Sequence, residues 1–460
     1  MMRAQQLQND YDLKTSPGPV LVRADIRSSL GPFRFLPNYV TTYPEVVIQA
    51  LGELYLEYNR SFAPLVAVNR EWETDYQYCV WGGLPVNCAV QIDMVGLPDE
   101  FLHTTSSMTL SEVREALRGK IFEIENSLAM YQLLENIFSR NLESSRFKLR
   151  FRAVLDQLRN QFKKPIALLA VTEQKYQAML SSEFGREIGD HLSDEEVKNL
   201  SGFDRFFSPE EFQKHLDANG GECDYLLYAR TSDPIAKLKD PKFQVEHPLL
   251  GDAAVRRVIK ANSLTFNIDA PDWEMNDPRR INDTKAYMPT LGMAFPVESE
   301  ADLFHSDFLA HITSGKRFGE YSGRRLSMQF AAYLRTHGTD PEAVVSGKVL
   351  LRCKPGKGTF GCYGHLTGAL GDSKFRGDLR SALRKRGTYM IQPEMEVSSI
   401  ANAVDGITCH YIDRNFFAMV EGEPRFLGGL RALMPADTVE AQKGRNHGNG
   451  ATVWAEVVGP

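Results

Sequence analysis

A glycine-rich segment, KPGKGTFGCYGHLTG, occupies residues 354–368. Within it, GKGTFG matches the pattern G-x-G-x-x-G, in which glycines let backbone N–H groups approach phosphate oxygens closely. Lys354 precedes these glycines, and its ammonium would add a positive charge beside the same phosphate. The pattern therefore predicts a phosphate-binding loop. A glycine-rich hairpin turn without a ligand would give the same pattern, so both interpretations stay open at this point.

The sequence around the glycines separates three kinds of nucleotide loop. A Rossmann loop opens a helix, but Gly361 is followed by CYGHLTG, which has no helical pattern of apolar residues. A Walker loop ends in Gly-Lys followed by Ser or Thr, and neither SGKR nor PGKG does so. The apolar run VLLRCKP before the glycines favours a loop that joins two strands and bends over a triphosphate. Protein kinases use such a loop, but the sequence contains no H-R-D or D-F-G.

Further short motifs follow in order between residue 279 and the C-terminus. RRINDTKAYMP supplies an acidic segment with a lysine, MIQPEME a glutamine and a glutamate, and YIDRNFF an aspartate and an arginine. FLGGLRALM supplies two glycines and an arginine, and NHGNGATVWAEV closes the set. The residues that carry the pattern are Asn282, Asp283, Lys285, Lys354, Gly356, Gly358, Gly361, Gly364, Gln392, Glu394, Asp413, Arg414, Gly428, Gly429 and Arg431.

This order of motifs resembles the second half of the circularly permuted ATP-grasp family. In the permuted arrangement the metal-binding strands lie at the N-terminus, and LVRADIRSSLGPFRFLPNYV (21–40) resembles that segment. The resemblance implies Asp25 and Asn38 as magnesium ligands. The family has a glutamate two residues before the asparagine, where this sequence has Leu36. Three explanations stay open. The metal site is altered, another acid such as Glu45 replaces the glutamate, or residues 21–40 do not correspond to the family's metal-binding segment.

The resemblance implies an ATP- and Mg²⁺-dependent carboxylate–amine ligase that produces ADP. Such enzymes form an acyl phosphate on a small, amino acid-like carboxylate, which an amine then attacks to give an amide or peptide bond. Two anions must meet in that reaction, so cations are needed to neutralise them. The implied roles are ATP binding by Lys285, Lys354, Gly356, Gly358, Gly361, Gln392 and Glu394, and catalysis by Arg414 and Arg431.

The arginine pair is expected on two strands of one hairpin, facing one cleft together with Lys285 and Lys354. A guanidinium fork suits an acyl phosphate or the tetrahedral intermediate. Gln392 or Glu394 would meet the ribose or the adenine edge. Two other functions stay open: an ATP-binding protein that has lost catalysis, which Leu36 motivates, and an ATP-dependent phosphotransferase that uses the same loop.

The spacing of apolar residues predicts some of the strands and helices that must position these residues. Alternating apolar residues predict strands over 19–26 and 33–40, the second limited by Pro37 to an edge or an early end. Helical spacing places Val47, Leu51, Leu54 and Tyr58 on one apolar stripe over 44–62. The sequence EGEP between two strand-like runs predicts an antiparallel hairpin over 407–434.

These elements predict an α/β (α+β) chain. The resemblance implies that the fold is a circularly permuted ATP-grasp fold with a pre-ATP-grasp-like α/β unit and a helical insertion. We expect an N-terminal α/β part that contributes the candidate metal-binding strands, a helical layer, the α/β unit, and a nucleotide-binding domain with the glycine loop. Their ranges are 1–108, 109–163, 164–295 and 296–460.

Composition limits the kind of partner. The 460 residues carry a formal net charge of −6, with 43% hydrophobic and 24% charged residues. An acidic balance argues against a nucleic-acid partner. The apolar runs are too short to span a bilayer, and the N-terminus has no apolar segment typical of a signal peptide. Six cysteines without a C-x-x-C pair predict reduced thiols in a cytoplasmic protein.

Overall fold

The protein combines helices with several β-sheets, so the α/β class expected from the sequence is confirmed at this level. The computed structural model describes residues 20–22, 33–68, 79–81, 84–86, 89–125, 146–170, 203–230, 249, 252–262, 292–355, 365–395, 397–404, 407–436 and 453–460. No helix within these ranges is long and apolar enough to cross a membrane.

The strands and helices are numbered along the chain. The strands are β1 (Val20–Val22), β2 (Phe33–Thr42), β3 (Cys79–Trp81), β4 (Leu84–Val86), β5 (Ala89–Val95), β6 (Ile121–Glu125), β7 (Ile166–Ala170), β8 (Arg205–Phe207), β9 (Leu226–Arg230), β10 (Phe295–Val297), β11 (Leu351–Pro355), β12 (Leu366–Gly368), β13 (Tyr389–Pro393), β14 (Ser399–Val404), β15 (Ile407–Val420), β16 (Glu423–Pro435) and β17 (Val453–Val458). The helices are α1 (Glu45–Val68), α2 (Asp99–Thr104), α3 (Leu110–Arg118), α4 (Arg146–Phe162), α5 (Pro209–Ala218), α6 (Ala253–Asn262), α7 (Glu300–Leu303), α8 (Ser306–Thr313), α9 (Met328–Thr336), α10 (Pro341–Val345) and α11 (Ser373–Arg386).

The chain divides into two compact units. Unit 1 takes in residues 1–114, 124–282 and 398–460, and unit 2 takes in 115–123 and 283–397. The boundaries differ from the predicted ones, because residues 398–460 group with the N-terminal part instead of with the segment that starts at 296. Strand pairing is the physical reason: β17 pairs with β2, and β15 pairs with β5.

The large sheet of unit 1 has the strand order β1-β2-β17-β16-β15-β5. Strand β14 pairs with the first residues of β15, from Ile407 to His410. All these pairs are antiparallel except β17 with β2, which is parallel. The N-terminal strands thus complete a sheet whose centre comes from the C-terminus. This pairing agrees with the expectation that residues 1–108 contribute strands to a core shared with the C-terminal part.

The predicted hairpin is confirmed as β15 and β16. Its two-residue turn has positive φ at Glu421 (54°) and Gly422 (81°), the backbone of a tight turn that matches the twist of the strands. Helix α1 contacts β16, and its predicted stripe of Val47, Leu51, Leu54 and Tyr58 is fully buried. The apolar spacing in the sequence therefore identified both the hairpin and the helix that covers it.

Strand β2 does not end at Pro37, which was one of the two predicted outcomes. It runs on to Thr42 along β17. On the other side, β1 pairs only with Phe33, Arg34 and Phe35, so among the described strands Pro37 lies at an edge, which was the other predicted outcome. Proline has no N–H to donate to a neighbouring strand, and the pairing with β17 also shifts register between Phe35 and Val40.

The region 109–163, predicted as a helical layer, holds α3, β6 and α4 among its described residues. The sequence KIFEIE forms a strand between the helices because its apolar residues alternate with polar ones. The boundary between the two units also falls within β6. Residues 121–125 therefore form a strand where the sequence predicted a helical layer.

The predicted α/β unit over 164–295 is present as three parallel strands in the order β8-β7-β9. Helix α5 begins with a capping box, in which Ser208 accepts from the Glu211 N–H and Glu211 accepts from the Ser208 N–H. Apolar side chains of β7, β8, β9, α5 and α6 share one buried core. This small layered unit belongs to unit 1.

Unit 2 is built on an antiparallel sheet with the strand order β10-β13-β11-β12. One face of this sheet is apolar and packs with α7, α8, α9, α10 and α11 around a single hydrophobic core. The strands on either side of the glycine segment, β11 and β12, appear where the sequence predicts them.

His337, at the end of α9, gives unit 2 a pH-dependent stability. Its Nε2 lies within hydrogen-bond distance of the Gly292 carbonyl, and its ring lies 4.4 Å from that of Tyr333. Burial lowers the pKa of the His337 imidazole below 6.5; the Gly292 hydrogen bond and Glu115 oppose this shift, and Arg118 adds to it. The folded unit therefore binds a proton at His337 more weakly than the unfolded chain does.

We expect unit 2 to lose stability as the pH falls below about 6.5 towards the lower pKa of folded His337, and to keep it above that range. Hydrogen–deuterium exchange of α9 at pH 7.5 and 5.5, corrected for intrinsic rates, measures the loss. His337→Gln should make the protection of α9 less dependent on pH than in the wild-type protein. Equal pH dependence in both proteins would assign the effect to other groups.

Candidate functional site

The polar face of the small sheet carries the predicted nucleotide-binding side chains of unit 2. Successive residues of a strand point to opposite faces, and β11 alternates accordingly. Leu351 and Cys353 lie in the hydrophobic core, whereas Arg352 and Lys354 lie on the other face. On β13, Gln392 is the cross-strand partner of Arg352 and shares its face. The structure therefore brings Lys354, Gln392 and Arg352 together on one surface.

Lys354 is the last residue but one of β11, and its side chain is buried. Its Nζ donates to the Phe122 carbonyl at 2.6 Å and lies 5.9 Å from the Phe122 ring centroid. A buried ammonium interacts more strongly with an anion than an exposed one does, because water screens it less. The position is suited to the predicted role as a phosphate ligand.

Two antiparallel strands flank the glycine segment. Cys353 of β11 pairs with Leu366 of β12, and the ladder continues to Leu351 and Gly368. The strand–loop–strand arrangement predicted from the sequence is confirmed, and the next described element after the glycines is β12 instead of the helix that a Rossmann loop would require. Gly356, Gly358 and Gly361 themselves lie outside the described residues.

Gln392 uses its amide nitrogen within the protein. Its Nε2 donates to the Met293 carbonyl at 2.7 Å and to the Ile121 carbonyl at 3.2 Å. An amide NH₂ has two protons, so both are engaged, and the residue is 2% exposed. Gln392 therefore ties the polar face to the backbone of β6 and of the segment before β10, and it has no proton left for adenine.

Glu394 follows β13 and forms a bidentate ion pair with Arg352. The Arg352 Nε donates to Oε2 at 2.8 Å and Nη2 donates to Oε1 at 2.9 Å. The Glu394 side chain is 21% exposed, and that of Arg352 is 6% exposed. Sequence reasoning singled out Glu394 but missed Arg352. The alternation of charged and apolar residues in LRCKP was the available signal, since it puts Arg352 on the face of Lys354.

On the large sheet, the expectation that Arg414 and Arg431 face one cleft is wrong. Arg431 pairs across the hairpin with Asp413, and Arg414 pairs with Leu430. Neighbouring residues of one strand point to opposite faces, so the two guanidiniums leave the sheet on opposite sides. The cause is a β-bulge, because Phe417 pairs with Phe426 but Phe416 pairs with Gly428.

The bulge adds one residue to β16 and so reverses the face of every residue beyond it. Gly428 has φ = 123°, a backbone conformation that favours glycine. A Cβ at Gly429 would lie 2.7 Å from the Arg414 carbonyl oxygen. The two glycines, expected at a turn, therefore lie inside a strand, where they permit the bulge and a close strand approach.

Arg431 belongs to a fully buried polar cluster. Its Nε and Nη2 donate to the two carboxylate oxygens of Asp413 at 2.8 and 2.9 Å, and Nη2 also donates to the Leu97 carbonyl. Tyr43 Oη and the Leu97 N–H donate to Asp413 Oδ2. Burial, and next the Asp413 carboxylate, raise the pKa of the Tyr43 phenol well above its ordinary value. Asp413 and Arg431 are both fully buried. Through them the hairpin is joined to the segments that carry Tyr43 and Leu97.

Arg414 lies on the other face beside a carboxylate that sequence reasoning did not identify. Its Nη2 is 3.5 Å from Asp93 Oδ2, and Asp93 is its cross-strand partner on β5. Gln91 donates to Asp93 Oδ1 at 2.9 Å. The alternation in AVQIDMV places Gln91 and Asp93 on one face and could have revealed them. Asp93 therefore fixes the position of the Arg414 side chain and neutralises part of its positive charge.

The remaining predicted site residues are Lys285, Asp25 and Asn38. Lys285 and Asp25 lie outside the described residues. Asn38 lies on β2, as does Leu36, but their side chains are not described. Within the described ranges, no three or more His, Cys, Asp or Glu side chains are grouped so that they could hold a metal ion. Asp25 and Asn38 therefore stay predicted magnesium ligands.

Comparison with known proteins adds no family to this geometry. No protein-family model matches the chain, and no curated protein matches it.

Proposed function

We propose that the protein is an ATP-dependent carboxylate–amine ligase, which forms an amide bond on small, amino acid-like substrates through an acyl phosphate. One observation carries the proposal: the glycine segment joins two paired strands, and the first of them carries Lys354, next to its last residue, on the polar face that also bears Glu394. A cation next to a glycine-rich segment suits phosphates, and a carboxylate four strand positions from the partner of Lys354 suits a nucleoside.

The residues have separate tasks in this proposal. Lys354 and the backbone of the glycine segment bind the phosphates of ATP, and Glu394 binds the nucleoside. On the resemblance to the permuted ATP-grasp family alone, Arg414 is proposed to stabilise the negative charge of the acyl phosphate and of the tetrahedral intermediate. We assign no catalytic role to Arg431, since it is fully buried and its Nε and Nη2 donate to Asp413 and Leu97.

Magnesium would supply charge neutralisation on the phosphates, and oxygen ligands are the ones that it prefers. Asp25 and Asn38 are proposed ligands on the resemblance to the permuted ATP-grasp family alone.

Changing Lys354 tests the nucleotide-binding part. Lys354→Met keeps the length of the side chain and removes the ammonium, so we expect ATP affinity to fall about 10- to 100-fold, the effect of losing a hydrogen bond from a charged donor. Isothermal titration calorimetry measures this change. Lys348→Met, at an exposed lysine just before the same strand, should bind ATP as the wild-type protein does.

The reaction itself is tested by ADP release across pairs of amino acids, with hydroxylamine added to trap an acyl phosphate. ADP release that requires both a carboxylate and an amine, together with a hydroxamate product, supports the ligase. Tight ATP binding without amine-dependent turnover for any pair would contradict it.

A second candidate is an ATP-binding protein without ligase activity. Leu36 at the position of the family's glutamate favours it, and so does Arg431, a predicted catalytic residue that is buried in an ion pair. This candidate predicts ATP binding that is indifferent to Mg²⁺ and no hydroxamate. A stable phosphorylated product in the same assay would instead identify the phosphotransferase that uses this loop.

A further inference from the structure

The segment 314–325 and helix α11 bring an excess of positive charge to unit 2. Their sequences contain ten Lys or Arg residues and two Asp or Glu residues. Apart from Arg380, which pairs with Glu300, the exposed cations are Lys316, Arg317, Arg324, Lys374, Arg384 and Lys385, and we call these six residues the basic surface. The net charge of −6 argued against a nucleic-acid partner. Salt screens charges beyond about 8 Å, however, so the local excess decides what this surface attracts.

Phe318 joins the segment to the helix. The guanidinium carbon of Arg376 lies 4.7 Å from the centroid of its ring, and that of Arg325 lies 5.8 Å from it. Arg376 donates to the Leu370 carbonyl, and Arg325 donates through Nε and Nη2 to the Tyr321 carbonyl. Among the described residues, these two guanidiniums therefore bond to carbonyl oxygens and form no ion pair with a carboxylate. Two half-buried positive charges thus add to those of the basic surface.

The acidic residues of this region do not balance the cations. Glu300 is bound by Arg380 at 2.7 and 3.0 Å, and Asp372 accepts from the backbone at the start of α11 as its N-cap. Glu320 lies in the segment and Asp378 on the exposed side of α11. Even with Asp372, Glu320 and Asp378 counted, the cations remain in excess, and a polyanion would relieve their repulsion.

The composition of the basic surface limits the kind of polyanion. A helix that lies on a membrane inserts apolar side chains, but the exposed large apolar side chains of the described residues, Met328 and Leu350, lie outside both segments. The basic surface combines one side of a helix with an irregular segment, in which Phe318 and Tyr321 are half-buried among the cations. A flexible single strand can follow such a surface, whereas a rigid duplex needs an element that fits its groove.

We propose that the basic surface binds single-stranded nucleic acid through its phosphates, without preference for base sequence. Each nucleotide carries one negative charge, so one strand can contact several cations together. The guanidiniums of Arg317, Arg324 and Arg384 have the planar fork that matches phosphate oxygens. The proposal goes beyond the ligase reaction and does not depend on ATP binding.

Fluorescence anisotropy of the full chain with a labelled oligouridylate of about 20 nucleotides tests the proposal. If about four cations of the basic surface contact phosphates, the logarithm of the binding constant should fall with the logarithm of salt concentration, with a slope of about −3. Raising the salt concentration from about 50 to 200 mM should then weaken binding about 50-fold. An oligodeoxythymidylate of the same length should bind with a similar affinity.

Paired substitutions locate the contacts. Arg384→Gln/Lys385→Gln on α11 and Arg317→Gln/Arg324→Gln on the segment should each make the salt slope less steep by about 0.7 to 1.4, the effect of losing one or two phosphate contacts. The control is Lys214→Gln/Arg425→Gln, which removes the same charge from exposed residues of unit 1. It should keep the wild-type affinity and slope. Circular dichroism checks that all three variants are folded.

The alternatives give different results. Absence of oligouridylate binding at about 50 mM salt, or binding without salt dependence, would overturn the proposal and leave a solvated surface. So would an equal loss of affinity in the control. Tighter binding of duplex DNA, of polyglutamate or of phosphatidylserine vesicles than of oligouridylate would assign the basic surface to another class of partner.

Discussion

Asp413→Asn is expected to lower the free energy of unfolding of unit 1 by about 3–5 kcal/mol, the cost of leaving one partner of a buried ion pair uncompensated. The substitution preserves the shape of the side chain but leaves the Arg431 guanidinium charged inside the protein. Asp413 and Arg431 have no exposed surface, so water cannot replace the lost carboxylate charge. The Tyr43 and Leu97 donors also lose their charged acceptor.

Tryptophan fluorescence during urea unfolding measures this loss, since all four tryptophans of the chain fall within unit 1. Tyr43→Phe should cost less, about 1.5–3 kcal/mol, because it removes a single hydrogen bond to a charged group. The double variant Asp413→Leu/Arg431→Met should recover much of the stability, since apolar residues of similar volume can replace a buried pair. A double variant as unstable as Asp413→Asn would show that the charges are not the cause.

Arg414→Lys is expected to lower kcat for amine-dependent ADP release about 10²- to 10³-fold, the usual effect of losing one preorganised stabiliser of transition-state charge. The KM for ATP should change little, because the proposal gives Arg414 no contact with bound ATP. Lysine keeps the positive charge beside Asp93 but cannot present two parallel donors to an acyl phosphate. A steady-state assay that varies ATP at saturating carboxylate and amine separates the two constants.

Arg425→Lys is the control on the same hairpin, where Arg425 forms an exposed ion pair with Glu423. It should leave kcat unchanged. Unfolding followed by tryptophan fluorescence must show that Arg414→Lys is folded, because Arg414 is itself buried. Normal kcat in a folded Arg414→Lys protein would remove Arg414 from the reaction.

Local patterns in the sequence were enough to identify several elements. Apolar spacing identified α1, and the EGEP turn identified the β15–β16 hairpin. The order of apolar and glycine residues around Lys354 identified a loop between two strands. Each of these depends on residues close together in the chain, where side-chain period and turn geometry act directly. The KIFEIE strand shows the limit, since its pattern is short and lies between two helices.

Partners far apart in the chain could not be assigned in this way. Arg352 with Glu394 and Arg414 with Asp93 are cross-strand or near-strand contacts whose register depends on the whole sheet. The residues carried visible signals of period two, but the sequence did not say which strands would be neighbours.

Arg414 and Arg431 of the hairpin best separate what the sequence determines from what the tertiary structure decides. From the turn alone, Arg431 would pair with Ile412 and share a face with Arg414, as the sequence suggested. The bulge opposite Phe416 moves the pairing by one residue, so Arg431 meets Asp413 on the opposite face. The sequence by itself determined the hairpin, the strand–loop–strand segment and the residue types of the two polar faces. Only the tertiary structure decided which guanidinium is buried in an ion pair, because a one-residue shift in register turns a side chain to the other side of a sheet.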